Sequence, residues 1–168
     1  MKFQVDMKKN DMFAFMMYHT YTGFSGIFGV CISLVAAITL AVQFHDLAEH
    51  AVMILGFIAL LFTIINPCML YTRSVRQVKL NPTYKKPLQY LINQEGVTVS
   101  QGEDAGLMQW EQCIKVIETK KQIFIYSSKI HAFILPKKNY ESQVEGLRSL
   151  IKESVKDNRV KIKGKLRK

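Results

Sequence analysis

Two long apolar runs interrupt an otherwise charged chain. The first covers about residues 21–44 and the second about residues 51–71, and between Met12 and Thr72 the only formally charged residues are Asp46 and Glu49. A bilayer-spanning helix needs roughly 20 consecutive apolar residues, and both runs reach that length. The residues between them, Gln43-Phe44-His45-Asp46-Leu47-Ala48-Glu49-His50, suffice to turn a helical hairpin. The rest of the chain is too short to enclose two such helices in a soluble core, so residues 21–72 are expected to form a transmembrane hairpin. The basic start, with Lys2, Lys8 and Lys9, precedes an apolar stretch too long for the apolar region of a secretory signal. It also lacks a small-x-small exit, so a retained helix is expected.

Small residues recur at helical spacing along the first run: Gly23, Gly26, Gly29, Ser33, Ala36 and Ala37. Such a face lets membrane helices approach closely, and serves hairpin packing or self-association equally well. Asn66-Pro67 lies in the last third of the second run, where proline frees a backbone carbonyl and favours a kink. Asn66 is expected to hydrogen-bond to the first helix or to that kink, ahead of an intramembrane binding role. Lysine and arginine flank the outer ends of the pair and are absent from the loop, so both termini are expected in the cytoplasm.

The period shortens beyond Pro87. Leu88 to Ile92, Val97 to Ser100, Leu107 to Trp110, Cys113 to Thr119, Ile123 to Tyr126 and His131 to Leu135 read as short strands. Turn signals such as Asn93-Gln94-Glu95-Gly96 and Gln101-Gly102-Glu103-Asp104 separate them. Phe3, Val5 and Met7 alternate and suit an additional edge strand. A helix is predicted from an N-cap at Asn139, with Tyr140, Val144, Leu147, Ile151 and Val155 as its apolar stripe. Glu141 and Glu145 at its start and Lys152 and Lys156 at its end suit the helix dipole. The expected fold is an α+β membrane protein. A transmembrane helical hairpin carries a pleckstrin-homology-like (PH-like) antiparallel β-sheet or barrel closed by a C-terminal amphipathic helix. The expected segments are an N-terminal strand and lead-in (1–20), the hairpin (21–72), a basic juxtamembrane linker (73–86), the PH-like module (87–156) and a basic tail (157–168).

Several features together resemble the YcxB-like family of small bacterial membrane proteins. They are Asn10-Asp11-Met12-Phe13-Ala14-Phe15 with Tyr18-His19, the hairpin ending near Asn66-Pro67, and Glu95-Gly96-Val97. Gln109-Trp110-Glu111, Lys115-Val116-Ile117-Glu118-Thr119-Lys120 and Ala132-Phe133-Ile134-Leu135-Pro136-Lys137-Lys138 complete the set. The resemblance implies this topology and a β-rich cytoplasmic module. It brings no established catalytic residues.

Charge changes the picture next. The chain has 23 Lys and Arg against 13 Asp and Glu, a net charge of +10. Residues 87–156 carry a net charge of only +1, whereas residues 73–86 hold five basic residues and no acid, and residues 157–168 carry +5. The excess therefore flanks the module. Juxtamembrane cations attract anionic lipid, which makes Arg73, Arg76, Lys79, Lys85 and Lys86 candidates for contact with lipid or a partner. Lys137 and Lys138, where sheet gives way to helix, join them. The tail alternates basic and apolar residues, suiting either leaflet contact or a solvated end. It has no aromatic residues to stack on bases, so no specific nucleic acid is expected.

Catalytic and metal motifs are sparse. Cys31, Cys68 and Cys113 have neither metal-ligand nor disulfide spacing. Cys113 as a nucleophile would need a base, and His131 is the only histidine in its module. His45, Asp46, Glu49 and His50 suit capping of the hairpin better than a metal, lacking H-E-x-x-H spacing. Trp110 is expected as a core anchor. No catalytic residue, metal site or cofactor is expected. The expected function is non-enzymatic: a multi-pass protein of the bacterial inner membrane that presents its module to a protein partner or to anionic inner-leaflet lipid. The alternative is a homo-oligomeric transport accessory or structural subunit acting through the hairpin.

Overall fold

The computed structural model describes residues 1–162, so the second half of the tail expected at 157–168 lies outside the described residues. The chain divides into two units. One comprises residues 12–77, the other residues 1–11 together with residues 78 onward.

The first unit is helical. Helix α1 (Lys9–Thr22) is followed, after Gly23, by α2 (Phe24–Gln43). The chain turns at residues 44–48 into α3 (Glu49–Leu60), which runs through a π-helical segment (Leu61–Ile65) into α4 (Asn66–Leu80). Phe24–Gln43 and the continuous helix Glu49–Leu80 are long and apolar enough to cross a membrane. Helix α1 was not expected at 1–20. Its apolar and polar residues are spread evenly around it, so no periodic signal marks it.

Backbone chemistry explains the π-helical segment. Asn66 N–H reaches back five residues to the Leu61 carbonyl. In that register the Phe62 carbonyl would need an N–H from Pro67, which has none. Tyr21 Oη donates to it instead, at 2.6 Å, and Asn66 Nδ2 donates to Tyr21 Oη at 3.3 Å. Ser33 Oγ of α2 donates to the Ile58 carbonyl at 2.8 Å and accepts Phe62 N–H at 3.4 Å. The small face of α2, with Gly26, Gly29, Ser33 and Ala36 buried, is thus used inside the unit. A Cβ on Gly29 would collide with the Phe62 ring.

The second unit is α+β. Strands β1 (Lys2–Val5), β2 (Leu88–Ile92), β3 (Gly96–Gln101) and β4 (Asp104–Gln109) form one antiparallel sheet in that order. The second sheet has the order β7-β6-β5-β8, from β5 (Lys115–Glu118), β6 (Gln122–Tyr126), β7 (Ala132–Pro136) and β8 (Val160–Lys161). The alternation of Phe3 and Val5 is realised, since Phe3 pairs with Tyr90 and Val5 with Leu88. Phe3 stacks on Tyr140 with ring centroids 4.6 Å apart, and Tyr90 meets Phe133 edge-on. Trp110 is buried, with Nε1 donating to the Asn93 carbonyl at 2.9 Å.

Two expectations are corrected. The sheets do not close into a barrel. Among the described residues no strand pair joins them, because β5 takes β8 as a parallel neighbour in place of β4. The C-terminal helix does not start at Asn139. Short 3-10 turns occupy Lys137–Asn139 and Glu141–Gln143 before α5 (Val144–Ser154) begins. Tyr140, at φ −150° and ψ 38°, is neither helical nor extended; its ring is buried in the core and its hydroxyl donates to the Leu135 carbonyl at 3.1 Å. Leu147 and Ile151 of α5 are fully buried, each stabilising the packing by about 1.5–3 kcal/mol.

Candidate functional site

The basic residues singled out in the sequence fall into two groups. Arg73, Arg76 and Lys79 are exposed on α4, and their three-residue spacing keeps them on one side of the helix. Lys85 and Lys86 are exposed beyond the 3-10 turn Pro82–Tyr84. Gln101 Nε2 fixes that turn by donating to the Thr83 and Lys86 carbonyls at 3.0 and 2.8 Å. Lys137 and Lys138 are instead engaged within the sheet-bearing unit.

Lys137 turns inward because β5 buries a carboxylate. The Glu118 side chain is 1% exposed and accepts Lys137 Nζ, Arg148 Nε at 3.1 Å and a further Arg148 guanidinium N–H. Lys137 Nζ also donates to the Thr119 carbonyl at 2.8 Å. Burial alone would raise the Glu118 carboxyl, but the Arg148 and Lys137 hydrogen bonds and charges outweigh it and hold it below its ordinary value. Arg148 is raised in turn, chiefly by its bond to Glu118. Burial, and then the Glu118 charge, raise the Tyr140 phenol. Close by in sequence, Lys138 Nζ pairs with Asp11 at 2.6 and 2.9 Å. Gln122 Nε2 donates to the Asp11 carbonyl at 3.0 Å. Among the described residues, two buried oxygens, Gln122 Oε1 and Asn139 Oδ1, find no hydrogen-bond partner. The network ties α5, the turn after β7 and the N-terminal segment to the β5–β6 hairpin.

A different surface lies at β4. Gln101 and Asp104 bracket a two-residue turn in which Gly102 has φ +64°. That is a type II′ hairpin, which asks for glycine at its first central position. The bracketing pair is hydrogen-bonded, so residues 104, 106 and 108 bond to β3, whereas Ala105, Leu107 and Gln109 direct their N–H and C=O groups away from it. β3 is the only strand beside β4 among the described residues. Next to this edge an open cavity of about 390 Å³ is lined by Thr83, Leu88, Val99, Asp104 and Gly106, among others.

Residues 92–151 match the family model of the YcxB-like protein. This part of the chain is similar to the YcxB-like family, and the match covers less than half of the chain. No curated protein and no solved structure matches the chain. The YcxB-like region contains Glu118, Lys137, Arg148 and all of β4, but none of residues 1–91. Within it Cys113 is buried, which pushes its thiol up to about 11. His131 is exposed, and its backbone closes the β6–β7 turn with Ser127 and Ser128. No group of three or more His, Cys, Asp or Glu side chains suited to a metal occurs among the described residues. Sequence reasoning missed the Glu118 network. Its one signal was an acid inside the β-branched run Val116-Ile117-Glu118. The bare β4 edge was legible only as a hairpin.

Proposed function

We propose that this chain is a multi-pass protein of the bacterial inner membrane, with both termini in the cytoplasm. In this reading the sheet-bearing unit is a PH-like docking module without catalytic activity, which engages a protein partner while its basic flank engages anionic lipid. The observation that carries the reading is the surface of the helical unit. Phe24, Val42 and Met53 are 86%, 74% and 70% exposed, a state that water penalises and lipid tails do not. The internal hydrogen bonds of Tyr21, Ser33 and Thr63 to backbone carbonyls suit a medium that offers no water. Two four-stranded sheets with a C-terminal helix packed through Leu147 and Ile151 support the PH-like assignment. Arg73, Arg76, Lys79, Lys85 and Lys86 follow the second apolar helix directly, where each cation near an anionic surface contributes about 1 kcal/mol.

Two measurements test this. Reporter fusions at the N-terminus, within residues 44–48 and at the C-terminus are expected to place only the loop outside the cell. A loop reporter on the cytoplasmic side refutes the topology. Acylation of Lys79, Lys85 and Lys86 is then followed in nanodiscs of neutral and of anionic lipid. Slower acylation in anionic discs, relieved by salt, is expected. Equal rates in both discs refute lipid engagement.

A further inference from the structure

We propose that β4 is a strand-addition site for an extended basic segment of a partner protein, one in which apolar and cationic residues alternate. The inference rests on the docking reading above and names its site and ligand chemistry.

Three observations converge on β4. Its outer edge offers the N–H and C=O groups of Ala105, Leu107 and Gln109. Beyond the charge of Asp104 at its start, Asp104-Ala-Gly-Leu-Met-Gln109 has no protection, with no proline, no lysine and no bulge. Room exists beside it. Gly106 faces the cavity that Leu88 and Val99 line, and a Cβ there would meet nothing within 4 Å. On the opposite face Leu91, Thr98 and Leu107 stand in register across three strands, with both leucines exposed. An added strand would therefore find an apolar neighbour for side chains pointing either way, the requirement of β-augmentation.

Charge selects the partner. From residue 87 to residue 114 the chain has four carboxylates, Glu95, Glu103, Asp104 and Glu111, and no lysine, arginine or histidine. All four are exposed and flank the hairpin of β3 and β4. A second copy presenting its own β4 would bring like charges together, which opposes self-pairing across this edge. A basic strand gains attraction along the same line.

The experiment uses the full chain in nanodiscs of neutral lipid. The probe is a twelve-residue peptide of alternating lysine and isoleucine or valine, with empty discs as the blank. Saturable binding is expected. The same peptide with alternate backbone amides N-methylated keeps its charge and loses its donors. It is expected to bind about thirtyfold more weakly, at a few-fold per lost bond. Leu107→Pro removes an outward donor while sparing the ladder to β3, and is expected to weaken binding about tenfold. The double variant Glu103→Lys, Glu111→Lys leaves the backbone untouched and is expected to weaken it about tenfold as well. Trp110 fluorescence reports whether each variant folds. Undiminished binding of the methylated peptide, or of both variants, overturns the proposal. Dimers that form without peptide and vanish in Leu107→Pro make a second copy the occupant and overturn it too. Tighter peptide binding after truncation at Ile162 does the same in favour of the chain's own tail. If binding fails here but photo-crosslinkers elsewhere on the unit, such as at Ile130, capture a partner, only the β4 site falls. If no position on the unit crosslinks, the docking reading falls with it.

Discussion

Replacing Glu118 by glutamine keeps the shape of a buried side chain and deletes the charge on which two cations converge. The carboxylate is 1% exposed, whereas the Lys137 and Arg148 side chains retain 17% and 19% exposure. Removing one member of a fully buried pair typically costs 3–5 kcal/mol. Here both cations keep partial access to water and Arg148 retains Glu145, so a loss of about 2–3 kcal/mol is expected. The chain has one tryptophan, and Trp110 lies in the same unit as Glu118. Its fluorescence therefore follows unfolding of that unit during urea titration in detergent. The midpoint of Glu118→Gln is expected to fall by roughly 1–2 M urea at pH 7. The pH dependence adds a second constraint. The Glu118 carboxyl is held below its ordinary value of 4.5 in the folded chain. Its contribution is therefore complete above about pH 4.5 and is lost as pH falls through the folded pKa. The gap between wild type and Glu118→Gln should be constant from pH 7 to about 5 and close below that. Equal midpoints at pH 7, or a gap that persists in strong acid, would refute the network as the tie between α5 and the β5–β6 hairpin.

Further outcomes follow from single groups. Tyr21→Phe deletes the donor to the Phe62 carbonyl. It is expected to lower the stability of the helical unit by about 1 kcal/mol, read as faster amide exchange around residues 61–66. Unchanged exchange would show that the hydroxyl does not hold the π-helical segment. Gly29→Val drives a side chain into the Phe62 ring, with an expected loss of about 1–3 kcal/mol read as an earlier helix-loss midpoint in detergent titration. Cys113, raised to about 11 by burial, is expected to react with a soluble maleimide at pH 8 at least ~100-fold more slowly than a free thiol. In urea, labelling of Cys113 at the free-thiol rate is expected, and fast labelling of Cys113 in a native Cys31→Ser, Cys68→Ser chain would contradict its burial.

Much of the fold was legible because its signals are local. The two apolar runs announced α2 and the helix that follows, and period-two alternation marked Leu88–Ile92 and Gly96–Gln101. The turn residues between Gln101 and Asp104 marked the hairpin. The parts that escaped depend on distant partners. Helix α1 has no apolar stripe. Strand β8 is a two-residue parallel addition held beside β5, where Arg159 donates to the Cys113 carbonyl at 3.0 Å, and nothing periodic precedes it. Lys137 reads as half of a surface lysine pair until Glu118, 19 residues earlier, is seen to draw it in. Asn139 has the chemistry of an N-cap, but Tyr140, with its ring buried, takes a non-helical backbone and delays the helix.

If residues 12–77 enter a bilayer, as proposed above, the pairing of β1 with β2 constrains how they cross it. These neighbouring strands are separated in sequence by the whole of residues 12–77. Their hydrogen bonds can form only if both ends of that insert emerge on the same side of whatever barrier it enters. The number of crossings must therefore be even. A nascent chain in which one helix fails to cross would strand Phe3 and Val5 on the wrong side, leaving Tyr90 and Leu88 without their partners. In that proposed setting the sheet would close only around a chain that crosses an even number of times, and a chain with a single crossing would leave apolar strand faces uncovered.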